Sequence, residues 1–281
     1  MNRIVLALGL ALALSAPAAS QPKPKLVKLP PPAWRSVDAE NTMVIDTNQG
    51  RIYVELVPEA APHTAARVKQ LVRMHFYDGL TFFRVIDDFM AQTGDPGNNG
   101  QGGSVLPNIP GEFSFKLGGA GDLVVVDHPP GHDAGFVGAL PVIAQPAAMA
   151  ALTLDGRITA HPTFCPGVIG MARAQDADSA NSQFFLMRQA RDNLDEHYAA
   201  FGRVIVGEDV VRAIKVGEPP SDPQDRMTRV QMLADIPEGV RPSVKVVDTK
   251  SAYFADLVNN IRVKAGDDFS LCDVEIAGQA K

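Results

Sequence analysis

Apolar and polar positions along this chain predict strands before anything else. Thr42 to Thr47 and Arg51 to Val57 are two β-rich runs joined by Asn48-Gln49-Gly50, where Asn and Gly supply a turn. In the second run Ile52, Val54 and Leu56 alternate with Tyr53 and Glu55, which predicts one more exposed face. The period changes after Pro62. Ala65, Val68, Leu71 and Val72 fall on one helical stripe that should end before Asp78-Gly79. Short apolar runs resume at Thr81 to Ile86 and Phe89 to Gln92. Gly94 to Gly103 carries five glycines in ten positions and reads as a loop. Leu123 to Val126, Gly167 to Met171, Gln183 to Met187 and Ala200 to Val206 are further strands. Glu208 to Lys215 reads as a second short helix with Val210, Val211 and Ile214 inward, and Met227 to Leu233 as a closing strand. Many short strands, Gly-rich links and two helices predict a mainly β fold, a closed barrel capped by helices.

Two segments stand apart. Ser114 to Thr163 is rich in Pro, Gly and Ala and weakly patterned, and it reads as a long loop insertion. After the closing strand, residues 236–281 form a C-terminal extension. It has a strand at Val244 to Val247, a helix at Ala252 to Asn260 and a strand at Leu271 to Ile276. Tyr253, Phe254, Leu257 and Ile261 favour docking of this extension, either back on the barrel or on a partner.

The N-terminus changes the picture of where the protein works. Arg3 precedes an apolar run from Ile4 to Leu14, and small residues follow at Ala16-Pro17-Ala18 and Ala18-Ala19-Ser20. This pattern predicts a cleaved export signal over residues 1–20 and a periplasmic mature protein without a membrane span. Gln21 to Ala33, with five prolines and three lysines, reads as an extended tether, and Trp34 as the residue that pins it to the domain. The tether region is taken as 21–40 and the main domain as 41–235.

Composition then excludes some classes. A net charge of −6 over 281 residues argues against nucleic acid as the main partner. Cys165 and Cys272 are too few for a disulfide scaffold or a four-cysteine metal site. Export permits a bond between them, and two free, buried thiols are equally compatible with the sequence. Asp127-His128-Pro129-Pro130-Gly131-His132-Asp133 concentrates metal-binding residue types, yet no third cluster completes a site and a solvated polar loop explains it. No Ser-His-Asp or Cys-His pattern supports a hydrolase.

Three blocks carry chemistry. Phe82-Phe83-Arg84-Val85-Ile86-Asp87-Asp88-Phe89-Met90-Ala91-Gln92-Thr93-Gly94-Asp95 is the first, and Gly100-Gln101-Gly102-Gly103 the second. The third runs from Gly170-Met171-Ala172-Arg173-Ala174 through Asn181-Ser182-Gln183-Phe184-Phe185 to Leu194-Asp195 and Phe201-Gly202. Their order and spacing resemble the cyclophilin-type peptidyl-prolyl cis-trans isomerases over about residues 41–235, outside most of the insertion. The resemblance implies an eight-stranded barrel, isomerisation of X-Pro bonds in unfolded or flexible polypeptides, and no cofactor or metal. A monomer is the expected state.

That reaction breaks no covalent bond. Its barrier comes from amide conjugation, and the uncatalysed exchange takes tens to hundreds of seconds. A catalyst must hold the proline and stabilise the twisted amide, whose nitrogen is pyramidal. By resemblance Arg84 is the catalytic donor; its guanidinium stays charged and presents a rigid fork of N–H groups. Phe89, Met90, Phe185 and Leu194 correspond to the apolar wall around the ring. Phe184, the neighbour of Phe185, should point the other way into the core. Gln92 and Gln183 correspond to polar contacts, and Ala172 and Arg173 to the edge that pairs with the residues before proline. Gly100 corresponds to a glycine beside the groove, where a side chain would obstruct approach.

Phe83 stands where many relatives carry His, Asn193 where many carry Trp or another aromatic, and Tyr198 where many carry His, although exported bacterial relatives often have Tyr there. The loss of the aromatic at Asn193 implies weak cyclosporin binding. With no His at these positions, the rate should change little between about pH 6 and 8. A second reading is a module that captures Pro-containing segments with little turnover, to which Asn193 and the long insertion give weight.

Overall fold

The computed structural model describes residues 25–118 and 122–281. The predicted export signal lies outside the described residues. The chain contributes β1 (Trp34–Ser36), β2 (Thr42–Thr47), β3 (Gly50–Leu56), α1 (Pro62–Arg73), β4 (Arg84–Ile86) and β5 (Met90–Thr93). Then come β6 (Phe115–Leu117), β7 (Val124–Asp127), β8 (Asp133–Val137), β9 (Leu140–Ala144) and β10 (Ile158–Pro162). They are followed by β11 (Val168–Met171), β12 (Phe184–Met187), β13 (Ala200–Val206), α2 (Glu208–Ala213) and β14 (Met227–Met232). The chain ends with β15 (Val244–Val247), α3 (Ala252–Ala265) and β16 (Gly278–Ala280).

Eight strands form one curved antiparallel sheet in the order β14-β2-β3-β13-β11-β12-β5-β4. The expected closed barrel needs correction. Edge strands β4 and β14 share no ladder, and the seam is spanned by isolated bridges such as Thr81–Arg226 and Val85–Gly217. Main-chain bonds from Gly79 to Met227 (2.7 Å) and from Phe82 to Asp225 (2.9 Å) help to hold it. Period-two alternation sends Val85, Ala91, Phe184 and Leu186 into the concave core with Ile45, Ile52 and Val54. Val68, Leu71 and Val72 of α1 cover that core. No side chain of its own turn caps α1. Instead Glu112 accepts from the first free N–H groups, His63 and Thr64, each at 2.8 Å, and places negative charge at the positive helix end.

The insertion is not a loop. It folds as a second antiparallel sheet, β6-β10-β9-β8-β7. The predicted strand at Leu123 to Val126 belongs to this sheet. Strands β8 and β9 are buried along almost their whole length, so apolar residues line both faces and the alternation that marks a half-buried strand is lost. Phe115, Leu140, Val142 and Ala160 pack into one cluster with Phe185 and Leu194, on the outer face of the large sheet.

The C-terminal extension folds back onto the chain. β15 lies between β1 and β16 in a third sheet. Phe254 and Val258 of α3 pack with Val246, Phe136 and the outward residues Val44, Tyr53 and Ile205. This cover overturns the expected exposed face of β3: Tyr53 and Glu55 are 4% and 7% exposed. Buried Glu55 is satisfied by a two-pronged ion pair with Arg35, at 2.6 and 2.7 Å. Trp34 is 36% exposed, so β1 is held by main-chain pairing to β15 rather than by burial of that ring. The tether is also docked: Asn260 accepts from Val27 N–H and donates to Val27 C=O, both at 2.8 Å.

Leu271 to Ile276 was expected to be a strand but begins as a 3-10 turn. Ser270 Oγ accepts from Cys272 N–H, and Asp273 accepts from Ser270 N–H, a local pairing that competes with a ladder. That turn brings Cys272 to Cys165, and the two form a disulfide. Arg203, 2% exposed, reaches from β13 to Ala139 C=O and Val274 C=O, joining the large sheet, the insertion and the extension. Burial lowers its pKa to about 10. In the polar loop, His128 pairs with Asp133 at 2.8 Å and Arg262 with Asp127 at 2.8 Å. Among the described residues no group of three or more His, Cys, Asp or Glu is placed to hold a metal.

Candidate active site

Strand register builds the site. Arg84 of β4 pairs with Gln92 of β5, Gln92 with Phe185 of β12, and Phe185 with Gly170 of β11. Directly opposed residues share a face, so these four form one row across the outside of the sheet. Two residues along, Ile86, Met90 and Met187 form the next row. Met90 and Phe185 are nearly buried, whereas Arg84 and Gln92 are half-buried. A cation and an amide therefore sit at the lip of an apolar floor.

Gly170 makes that floor possible. A Cβ there would lie 2.5 Å from Phe185 Cζ and 2.6 Å from Phe164 Cε1. Without it, Phe164 stacks on Phe185, with centroids 5.8 Å apart. Phe164 also donates its N–H to Asp195 Oδ1 at 2.9 Å, which ties the stack to the turn carrying Leu194. Burial raises the pKa of Asp195, against the hydrogen bonds it accepts.

A polar relay runs along the lip. Arg84 Nε donates to Glu218 Oε2 at 2.6 Å, and Nη1 points to Gln92 Oε1 at 3.5 Å. Gln92 Nε2 donates to Gln183 Oε1 at 2.9 Å. Gln183 Nε2 then donates to the carbonyls of Gly100 (3.1 Å) and Gly102 (2.8 Å). Each amide's oxygen faces a donor and its nitrogen an acceptor, so the relay has one direction. The Gly-rich loop that ends it is organised by Asp95. Its carboxylate, fully buried, accepts from Gly97, Asn99 and Gly100 at 2.7 to 2.9 Å. Burial alone pushes the Asp95 pKa up, but these backbone donors outweigh it and hold the acid below its usual value. Gly100 sits at φ +78°, a left-handed conformation that favours glycine, and a Cβ there would touch the Phe83 ring at 3.4 Å.

The opposite wall is aromatic. Tyr198 meets Phe185 edge to face at 5.9 Å, and the Arg173 guanidinium lies 4.7 Å above the Tyr198 ring. Arg173 also lies over Phe113 at 5.4 Å and donates to His197 C=O at 2.9 Å. Its side chain thus braces Tyr198. Ala172 N–H is taken by Gln183 C=O at 2.9 Å. Asn193, in the short 3-10 turn before Leu194, is exposed.

A cavity of ≈ 410 Å³ unites Arg84, Phe89, Met90 and Gln92 with Ala172, Arg173, Phe185, Leu194 and Tyr198. Every one of these positions was named from the sequence. The other two, Gly100 and Gln183, line an adjoining cavity that shares Gln92, Ala172 and Arg173. Sequence reasoning missed Glu218, Phe164 and Phe113. Glu218 lies 134 positions from Arg84, and Phe164 falls just outside the segment Ser114 to Thr163 with no pattern of its own, so neither had a local signal.

The geometry defines a groove that seats a small apolar ring beside a fixed cation and hydrogen-bonding amides. The chain belongs to the cyclophilin type peptidyl-prolyl cis-trans isomerase/CLD family, whose model matches residues 42–234. It is 34% identical over 193 residues to a "Probable peptidyl-prolyl cis-trans isomerase" of Brucella suis, covering 65% of this chain and 75% of that protein. It is 30% identical to the mouse "Peptidyl-prolyl cis-trans isomerase-like 1", covering 76% of this chain and all of the mouse protein. The crystal structure of cyclophilin AquaCyp293 from Hirschia baltica superposes with a TM-score of 0.80 at 32% identity, covering 88% of this chain and 93% of that one. That likeness spans more of the chain than the family model does.

Proposed function

We propose that this protein is an exported peptidyl-prolyl cis-trans isomerase that assists folding by turning X-Pro bonds in unfolded or flexible chains. The observation that carries the reading is the row Arg84–Gln92–Phe185, which sets a permanent cation over an apolar pocket in a member of this family. The ring rests on Phe185, Met90 and Leu194, with Phe89 and Tyr198 at its sides. Arg84 donates near the proline nitrogen as conjugation is lost, stabilising the twisted amide more than either planar isomer. Gln92, fixed through Gln183, keeps the guanidinium and the substrate backbone in place. The protein's own residues supply all of this chemistry.

The Cys165–Cys272 disulfide supports export, because such bonds persist in oxidising compartments. Residues 1–20 then serve as a cleaved leader, the site of action is the periplasm, and the protein works as a monomer. Refolding of a proline-limited protein chain should be accelerated by substoichiometric amounts of the mature protein. An unchanged slow phase contradicts the folding role. Intact mass of the protein recovered from its native host tests export, and retention of Met1 contradicts it.

A further inference from the structure

Glu218 stands beside Arg84 on a frame built from main chain. Gly217 exchanges both hydrogen bonds with Val85, at 2.8 and 2.9 Å, which fixes the next residue against β4. Lys215 N–H is held by Asp225 at 2.7 Å, and Asp225 also accepts from Asn48 and Gln49. The Glu218 side chain is 51% exposed, and only Oε2 is engaged, by Arg84 Nε. Among the described residues no donor meets Oε1.

A cavity of ≈ 540 Å³ opens at this carboxylate. Phe83 and Pro219 give it apolar surface, Gly100 contributes no side chain, and Asn98 and Asn99 are neutral. It shares Arg84 and Gln92 with the proline pocket, so the two cavities border the same two side chains. A chain with its proline ring on Phe185 that runs past Arg84 would meet a space with one unengaged carboxylate oxygen.

We infer that this space is a substrate subsite in which Glu218 selects a cationic residue, Lys or Arg, flanking the proline; the inference rests on the isomerase reading above. A Lys or Arg stem covers the apolar surface of Phe83 and Pro219 while its charged head reaches Oε1. The Oε2 contact with Arg84 stays intact. A substrate carboxylate in the same place meets Glu218 as a like charge and competes for the Arg84 guanidinium. That competition draws the catalytic donor away from the amide. Exposed ion pairs change affinity by roughly two- to fivefold, so attraction and repulsion together separate Lys from Glu substrates by about tenfold.

The test uses the full mature chain and a set of Ala-Pro peptides. Lys, Ala or Glu is placed in turn at each position within three residues of the proline. The expected result is one position at which kcat/KM for Lys exceeds that for Glu by about tenfold. The ratio should fall to one or below in Glu218→Gln and in Glu218→Lys, and shrink in 1 M salt as the charges are screened. A ratio within twofold of one at every position overturns the inference, as does a ratio unchanged in Glu218→Gln. The uncharged peptide separates the two failures. If the wild-type protein does not turn over the Ala peptide, the isomerase reading itself falls; if it does and charge has no effect, only the subsite falls.

Discussion

Phe164 stacks on Phe185 with ring planes 29° apart, one residue before the cysteine that binds the C-terminal extension. The floor of the proline pocket is thus supported from the insertion side. Phe164→Leu keeps an apolar side chain but removes the stacked ring, whose pairing is worth about 0.5–1.5 kcal/mol. We expect the urea midpoint to fall modestly and kcat/KM to drop by a similar factor, carried by KM. Gly170→Ala is the harsher probe. Its Cβ collides with both rings, and overpacking of this kind costs about 1–3 kcal/mol. Unchanged peptide turnover in Gly170→Ala contradicts this account of the pocket floor.

The disulfide closes a sequence separation of 107 residues. Chain-entropy reasoning puts its stabilisation at up to about 4.7 kcal/mol for a loop of this length. Reduction, or the Cys165→Ser and Cys272→Ser pair, should lower the unfolding midpoint while the sheet remains folded. Thiol labelling of the native oxidised protein should find no free sulfhydryl. Two reactive thiols, or a midpoint indifferent to reductant, would go against it.

Asp95 gives a pH signature. Its folded pKa lies below the unfolded value of about 3.9, so the unfolded chain binds the proton more readily. The stabilisation is complete above that unfolded value and is lost as pH falls through the folded one. Asp95→Asn should therefore be less stable than wild type at pH 7, with a difference that closes in acid. Urea titrations from pH 7 down to about 2.5 check this. A difference independent of pH contradicts the role given to the carboxylate.

The rate of isomerisation should be nearly flat between about pH 6 and 8, the range in which an ordinary His titrates. Among the described residues no His lines the proline cavity or the two that adjoin it. Catalysed exchange measured across this range on an uncharged peptide is the check. A rate that changes severalfold through pH 6.5 would implicate a His the geometry does not place.

Much of the site was legible because it rests on local pattern. Arg84, Met90, Gln92 and Phe185 sit in short strands whose alternation fixes their face, and their motif spacing fixes their partners. The apolar stripe of α1 was equally direct. What escaped depends on contacts remote in sequence. β8 and β9 are covered on both sides, so they lack alternation, and Gly135 and Pro141 interrupt what pattern remains. Tyr53 and Glu55 looked solvent-facing because nothing in β3 announces that an extension some 190 residues later will cover it. The open edge between β4 and β14 escaped for a related reason. Its bonds run between strand ends and loops, around Gly79, Phe82 and Gly217, where no periodicity exists.

The central claim is that Arg84 catalyses rotation about an X-Pro bond. Its most direct test is cis/trans exchange of an Ala-Pro peptide measured by NMR with the wild-type protein and with Arg84→Ala. The account predicts fast exchange with wild type and a loss on the order of a hundredfold in the variant, comparable to removing one preorganised donor, while peptide binding persists. Binding without exchange in the wild-type protein contradicts it and leaves a module that captures Pro-containing segments.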